Sequence, residues 1–322
     1  LETETFRGHG HHQATGLAVP IAVELAADVN AYPEQIAEGL FPWEVQKMYL
    51  RDSKSPHLVI DRGDYDPIIG RSYSELGAEA KSYCRTQSAG RTQNPGSSTT
   101  GLRLIESKVG PIEKENYILD GIDSSLSGIA NWTADEEGKV PFLRADLMNI
   151  EEEVDRVIRD FNPLTPELIV SQLAEILGNF RDLQQGISTS ELTPMRKDYV
   201  LFYLTRKIQE TEEAIIKASG LLLEVFSDDE TVSPGGQLNA KLNLYNQGSV
   251  LVTVEKVGLA SLESAESVKA LNQTLKRNES VEVELSMAVP LSTPVGRIFW
   301  ELEDNIIGKQ GLFYLSCPYK TV

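Results

Sequence analysis

Cysteine and histidine are both scarce in this chain of 322 residues, which limits the sites that it can build. The two cysteines, Cys84 and Cys317, lie far apart and match no zinc-binding spacing. Each is expected to be a buried free thiol rather than half of a disulfide. Basic residues are also few, because 30 Lys and Arg oppose 48 Asp and Glu, giving a net charge of −18. This balance argues against nucleic acid or an anionic membrane as a partner.

Long apolar runs are also lacking, since no stretch of the sequence approaches the roughly 20 residues that a membrane helix needs. We therefore expect no membrane insertion. The opening Leu-Glu-Thr-Glu-Thr contains neither an initiator Met nor a signal peptide, and it reads like the interior of a longer protein. With 41% hydrophobic and 24% charged residues, the composition is that of a globular protein with two or three domains.

Three of the four histidines lie within four consecutive positions, in Gly8-His9-Gly10-His11-His12-Gln13-Ala14-Thr15-Gly16. Imidazole is a common zinc ligand, and it also moves protons near neutral pH. Packing does not readily explain the clustering of so scarce a residue, whereas a metal or catalytic site does. The alternative is a solvated polar turn or a tag remnant, although these histidines are interrupted and lead directly into a predicted helix.

The motif His9-Gly10-His11-His12, followed by Ala14 and Gly16, resembles the second metal motif of the PIG-L/LmbE-like family. Members of that family are zinc-dependent deacetylases of N-acetylglucosamine derivatives, and their usual motif is His-Pro-Asp-His. The resemblance implies that zinc is the cofactor, with His12 as a metal ligand and His9 as the catalytic residue that assists the transition state. His11 replaces the family's Asp, so its role stays open.

A second segment carries the same resemblance. Lys81-Ser82-Tyr83-Cys84-Arg85-Thr86-Gln87 ends a helix that is predicted to begin near Ser74, and it is similar to the family's helix ending in His-Arg-Ser-Gln. The resemblance implies that Arg85 and Gln87 bind the substrate, while Cys84 stands where the family often has His. The alternative is that Arg85 is solvated and Gln87 caps the helix. Residues 88–101 are predicted to be a loop, either a lid or plain disorder.

The family's first metal motif, His-Pro-Asp-Asp-Glu, has no counterpart in residues 1–322. In the family this motif supplies the other zinc-binding His, the Asp ligand and the Asp base. The acids Asp228-Asp229-Glu230 are not preceded by His-Pro, and we interpret them as a linker between domains. The resemblance therefore implies that the chain is the C-terminal portion of a deacetylase, inactive by itself.

Periodicity divides the chain into three predicted domains. Residues 1–126 are predicted to be the C-terminal half of a Rossmann-like α/β deacetylase domain, residues 127–226 a helical region, and residues 227–322 an immunoglobulin-like β-sandwich. Predicted helices cover about Gln13–Asp28, a short piece from Pro33, Ile150–Phe161 with Asp146 or Asn149 as the N-cap, Thr165–Gly186, and Thr193–Phe226. Predicted strands lie in Trp43–Arg51, His57–Ile60 and Leu102–Ile105.

The last 95 residues alternate apolar and polar side chains, which is typical of strands in a β-sandwich. Leu238, Ala240, Leu242 and Leu244 form one set, and Val250–Val254, Val281–Val289 and Ile298–Leu302 form others. Ser233-Pro234-Gly235 before the first strand and Asn246-Gln247-Gly248 after it resemble immunoglobulin-like NEW3-type modules of bacterial carbohydrate enzymes.

The function that the resemblance implies is zinc-dependent removal of the acetyl group from an N-acetylated amino sugar. Implied partners are that sugar and the missing N-terminal half or another subunit, and an extracytoplasmic bacterial location is the corresponding guess. One alternative is a non-catalytic carbohydrate-binding or assembly protein with vestigial histidines. Another is a metal-binding protein that uses His9, His11 and His12 together.

Overall fold

The computed structural model describes residues 10–37, 39–84, 86, 93–110, 114–260 and 266–293. These residues combine helices with several small antiparallel sheets. They form two compact units, and the boundary between the units lies between Ser124 and Ser125. In the described part of the chain, no helix has the length and apolarity to span a membrane.

The first unit contains three helices: α1 (Gly10–Ala27), α2 (Pro33–Ala37) and α3 (Tyr73–Ser82). The predicted helices from Gln13 and from Pro33 are thus confirmed. α3 begins at a reciprocal capping box, because Ser72 accepts a hydrogen bond from the Glu75 backbone while the Glu75 carboxylate binds back to Ser72. The helix ends at Ser82, so the prediction that it reaches Gln87 was too long.

The strands of the first unit are short and pair antiparallel. They are β1 (Lys47–Arg51), β2 (Leu58–Asp61), β3 (Tyr65–Asp66), β4 (Arg71–Ser72) and β5 (Thr99–Ser107). β5 lies between β1 and β2, while β3 and β4 form a separate hairpin. Leu50 and Leu58 are the only buried apolar side chains among the described residues of this unit.

Helices fill the first part of the second unit. They are a 3₁₀ segment (Ser127–Lys139), α4 (Leu143–Asp160), a second 3₁₀ segment (Pro166–Ile169), α5 (Val170–Ser188) and α6 (Pro194–Ser219). Leu143, Leu147 and Ile150 of α4 share a core with Ile176 of α5 and Leu204 of α6. Asp146 and Asn149 lie inside α4, so the prediction that one of them caps the helix was wrong.

α6 ends seven residues before its predicted end at Phe226. Gly220 adopts a left-handed conformation, with φ of 69°, and its N–H binds the carbonyls of Ile216 and Lys217. This geometry stops the helix, because continuing it requires right-handed backbone angles. Leu221–Ser227 instead forms β6, which pairs antiparallel with β7 (Gln237–Asn246).

Two antiparallel sheets complete the second unit. Their strands are β6, β7 (Gln237–Asn246), β8 (Val252–Ala260), β9 (Glu266–Leu275) and β10 (Glu279–Ala288). One sheet has the order β10-β7-β6 and the other is the β8-β9 pair. Leu242 and Val283 of the first sheet share an apolar core with Val254 and Leu275 of the second. The predicted alternation in β7 and β10 is confirmed, and Ile298–Leu302 lies outside the described residues.

The helical and strand parts of the second unit meet at a tight corner. A Cβ atom on Gly248 would lie 2.0 Å from the carbonyl oxygen of Ser219, so the two backbones are in direct contact there. Asn246 is fully buried beside this turn, and its amide donates to the carbonyls of Val250 and Leu275. The carboxyl oxygen Oε1 of Glu167 also accepts a hydrogen bond from the Ser249 hydroxyl at 3.0 Å.

Candidate functional site

The predicted metal motif lies at the start of α1. Because the helix begins at Gly10, His11 and His12 occupy its first turn, and both residues are exposed. The backbone carbonyl of His11 accepts a hydrogen bond from the Thr15 hydroxyl at 2.8 Å, one turn further along. The catalytic candidate His9 lies outside the described residues.

Helical geometry separates the two described histidines. Successive residues on an α-helix are about 100° apart around its axis, so His11 and His12 do not face each other. A single metal ion bound by one imidazole from this turn is therefore compatible with the regular helix. Binding of one ion by both would require the first turn to distort, and the alternative in which the three histidines act together stays a prediction, because His9 lies outside the described residues.

The donors of a complete zinc site are not assembled within the described residues. No three His, Cys, Asp or Glu side chains converge there in a way that would hold a metal ion. An open catalytic zinc site takes three protein ligands, and His12 would supply one of them. The described residues therefore do not fit a complete zinc centre, and any further ligands must come from elsewhere.

Asp61 and Asp66 of the first unit accept hydrogen bonds within turns. Asp66 accepts hydrogen bonds from the Tyr73 hydroxyl at 2.7 Å and from the backbone of Ile68 at 2.8 Å, which lower its pKa below the usual range. The Ser97 hydroxyl and the Ser98 backbone likewise lower the pKa of Asp61. A carboxylate held in this way is a poor candidate for a general base, because its affinity for a proton is reduced.

The predicted substrate-binding residues, Arg85 and Gln87, both lie outside the described residues. Cys84, which precedes them, is described, and its thiol is free and exposed. The expectation of a buried thiol was therefore wrong at Cys84, because the residue follows the end of α3 at the surface. Cys317 lies outside the described residues.

A buried polar cluster in the first unit was not anticipated from the sequence. Lys47 Nζ lies 2.7 Å from Glu115 Oε1, and only 2% and 6% of the two side chains are exposed. The Tyr49 hydroxyl donates to the same oxygen at 2.9 Å. Burial alone would lower the pKa of Lys47, but hydrogen bonding with Glu115 and Tyr49 outweighs burial and raises it. Burial, reinforced by the hydrogen bond to Glu115, also raises the pKa of Tyr49.

No signal in the sequence points to this cluster, because Lys47 and Glu115 are 68 positions apart and neither belongs to a motif. The hydrogen bonds of this cluster join Lys47, Tyr49 and Glu115, none of which belongs to the predicted metal motif.

Comparisons of the chain with profiles of protein families, with curated proteins and with solved structures found no match.

Proposed function

We propose that this chain is the C-terminal part of a zinc-dependent N-deacetylase that acts on an N-acetylated amino sugar. The observation that carries the proposal is the motif His9-Gly10-His11-His12 with Ala14 and Gly16, which resembles the second metal motif of the PIG-L/LmbE-like family. Its position at the start of α1 supports the proposal, because a helix start can hold His12 in a fixed orientation. In this assignment His12 binds zinc and His9 assists catalysis.

The packing of the first unit supports the proposal that another polypeptide segment completes it. α1 is 18 residues long and carries one acidic residue, Glu24, yet none of its residues is buried. Leu17 and Ile21 are 75% and 58% exposed, and an apolar groove of about 430 Å³ runs between α1 and Tyr32. A helix this apolar is normally buried, so its exposure fits a domain that lacks part of its core.

The finer fold assignment follows from the same proposal. A Rossmann-like sheet is parallel, whereas β1, β5 and β2 pair antiparallel. We therefore assign the parallel strands to the completing segment and propose that the strands described here flank them. The two antiparallel sheets between Leu221 and Ala288 share one core, which supports the proposed immunoglobulin-like sandwich.

The test is complementation with an upstream polypeptide that contains a His-Pro-Asp-Asp-Glu motif. We expect this chain alone to bind zinc weakly and to release no acetate from N-acetylglucosamine derivatives. The complemented protein should bind zinc stoichiometrically and deacetylate the sugar, and His12→Ala should abolish both. His11→Ala is the matched control, because the proposal gives His11 no bond to zinc. Tight zinc binding by this chain alone, or its loss in His11→Ala, would contradict the proposal.

A second candidate is a non-catalytic carbohydrate-binding or assembly protein in which the second unit acts alone. The observation that favours it is the self-contained core of that unit, with one cluster in the helices and one in the strands. Deacetylation rescued by complementation would eliminate this candidate. Sugar binding that persists without zinc and without any rescued activity would support it.

A further inference from the structure

Residues 114–124 form the last segment of the first unit, and they contain no helix or strand. Within this segment, which the structure describes completely, Glu115 is the only buried residue. Tyr117 and Leu119 are 56% and 39% exposed, while Ile118 and Ile122 are only partly buried. The most buried contacts of the segment are therefore polar ones, made by Glu115.

Those contacts come from β1. Lys47 donates to the Glu115 carboxylate at 2.7 Å and also to the backbone carbonyl of Asp120. The Asp120 carboxylate in turn accepts the backbone N–H groups of Asn116 at 2.7 Å and Tyr117 at 3.1 Å, which closes the segment into a turn. One lysine therefore fastens the segment at two points, and Asp120 links them.

The energetics of this anchor differ from those of an apolar contact. Desolvation offsets much of the attraction in a buried ion pair, so apolar side chains of similar size would hold the segment equally well. Glu115 Oε2 is buried and has no hydrogen-bond partner among the described residues, which adds a further cost. Removing either charge leaves the other buried and unpaired, so this anchor is expected to hold or to fail as a whole.

We propose that residues 114–124 are a strap, latched to β1 by Lys47 and Tyr49 through Glu115, and that the latch opens as one step. Opening frees the chain up to Ser124, where the first unit ends, while the sheet of β1, β5 and β2 stays paired. The latch thus determines whether residues 114–124 are held against β1. It does not depend on the proposed deacetylase activity, because no residue of the metal motif takes part.

Hydrogen exchange on the whole chain tests the strap. Lys47→Met keeps most of the length of the side chain and removes its charge. The amides of Asn116 and Tyr117 should then exchange about tenfold faster or more, the fold-change expected when one charge-assisted hydrogen bond is lost. The matched control is Lys241→Met, which removes an exposed ion pair with Glu282 and should leave those amides unchanged.

Two further variants distinguish local opening of the strap from unfolding of the whole first unit. Tyr49→Phe removes a single donor and should accelerate exchange only within residues 114–124. The charge reversal Lys47→Glu with Glu115→Lys should restore part of the protection that either single change removes. Unchanged exchange at Asn116 in Lys47→Met would overturn the proposal. Equal acceleration at β5 would also overturn it, because the cluster would then hold the whole sheet rather than a strap.

Discussion

The two units of this protein hold their chains together by different means. Among the residues that the structure describes, the second unit has 18 buried apolar residues in its helical cluster and seven in its strand cluster. In the first unit, Leu50 and Leu58 are the only buried apolar residues that the structure describes. Its contacts are mainly polar: a capping box on α3, aspartates in turns and the latch at Glu115.

This difference matters because apolar burial is the largest favourable term in folding. Hydrogen bonds and exposed ion pairs add much less net free energy each. The second unit therefore gains more free energy from apolar burial than the described part of the first unit does. The comparison predicts that equivalent substitutions will have unequal effects in the two units.

The largest expected effect is the loss of a core side chain from the second unit. Leu204 of α6 is fully buried, so Leu204→Ala should lower the free energy of unfolding by about 2–5 kcal/mol. Leu17 of α1 is 75% exposed, and Leu17→Ala should change stability by less than about 0.5 kcal/mol. Urea unfolding of both variants measures the contrast. A large loss of unfolding free energy in Leu17→Ala would show that α1 is covered in solution, and the two units would then no longer differ in this respect.

Crowding at the corner of the second unit should have the next largest effect. Gly248→Ala would place a methyl group 2.0 Å from the Ser219 carbonyl, so the backbones must move apart, at a cost of about 1–3 kcal/mol. Gly178 in α5 has open space around it, and Gly178→Ala should stabilise by about 0.5–1 kcal/mol. In thermal unfolding, Gly248→Ala should lower the midpoint temperature and Gly178→Ala should raise it. A neutral Gly248→Ala would mean that the corner is loose.

A smaller effect is expected when the cap of α3 in the first unit is removed. Ser72→Ala deletes the acceptor for the Glu75 backbone N–H, and it should cost about 1 kcal/mol of local stability. Ser72→Thr retains the hydroxyl and serves as the control. Hydrogen exchange at the first turn of α3 measures the loss, and equal protection in Ser72→Ala would argue against the capping box.

The smallest and most specific contrast is in pH dependence. The pKa values of Lys47 and Tyr49 are raised in the folded protein. Their contribution to folding stability is therefore complete below about pH 10 and is lost as pH rises further. In the second unit, hydrogen bonds from Thr193 and Lys139 lower the pKa of Glu136 to about 2. Its contribution is complete above the ordinary value of 4.5 and is lost as pH falls towards 2.

These opposite dependences can be measured by thermal unfolding at a series of pH values, with NMR resonances from each unit reporting its own unfolding temperature. Lys47→Met should flatten the alkaline loss in the first unit, and Glu136→Gln should flatten the acid loss in the second. The same pH profile in both units would contradict the assignment of the two groups.

Much of the secondary structure follows from local patterns in the sequence, and its limits have physical causes. Pro166 at a helix start and alternation in β7 identified elements, because those signals act within a few residues. The end of α6 was missed because Leu222 and Val225 continue its heptad pattern, while Gly220 alone marks the stop. The pairing of Lys47 with Glu115 could not be predicted, because it depends on how distant segments come together.

The candidate site was predicted only as far as its motif extends. The sequence identified the histidines and the helix after them, but the described helix begins at Gly10, before its predicted start near Gln13, so that His11 and His12 lie inside it. For the proposed zinc site the sequence predicts only His12 as a ligand, because the family's His-Pro-Asp-Asp-Glu motif has no counterpart in residues 1–322. The burial of groups around a site depends on the tertiary fold, which short motifs do not encode.

Only Gly220 separates α6 from β6, so the length of the helix sets the position and direction in which β6 begins. One residue inserted near its end would rotate the exit of the chain by about 100° and shift it by 1.5 Å. Since side chains alternate along a strand, the same insertion would turn the core face of β6 towards solvent. Insertions in the loop between β6 and β7 carry no such constraint, so relatives of this protein should vary in that loop and keep the helix length fixed.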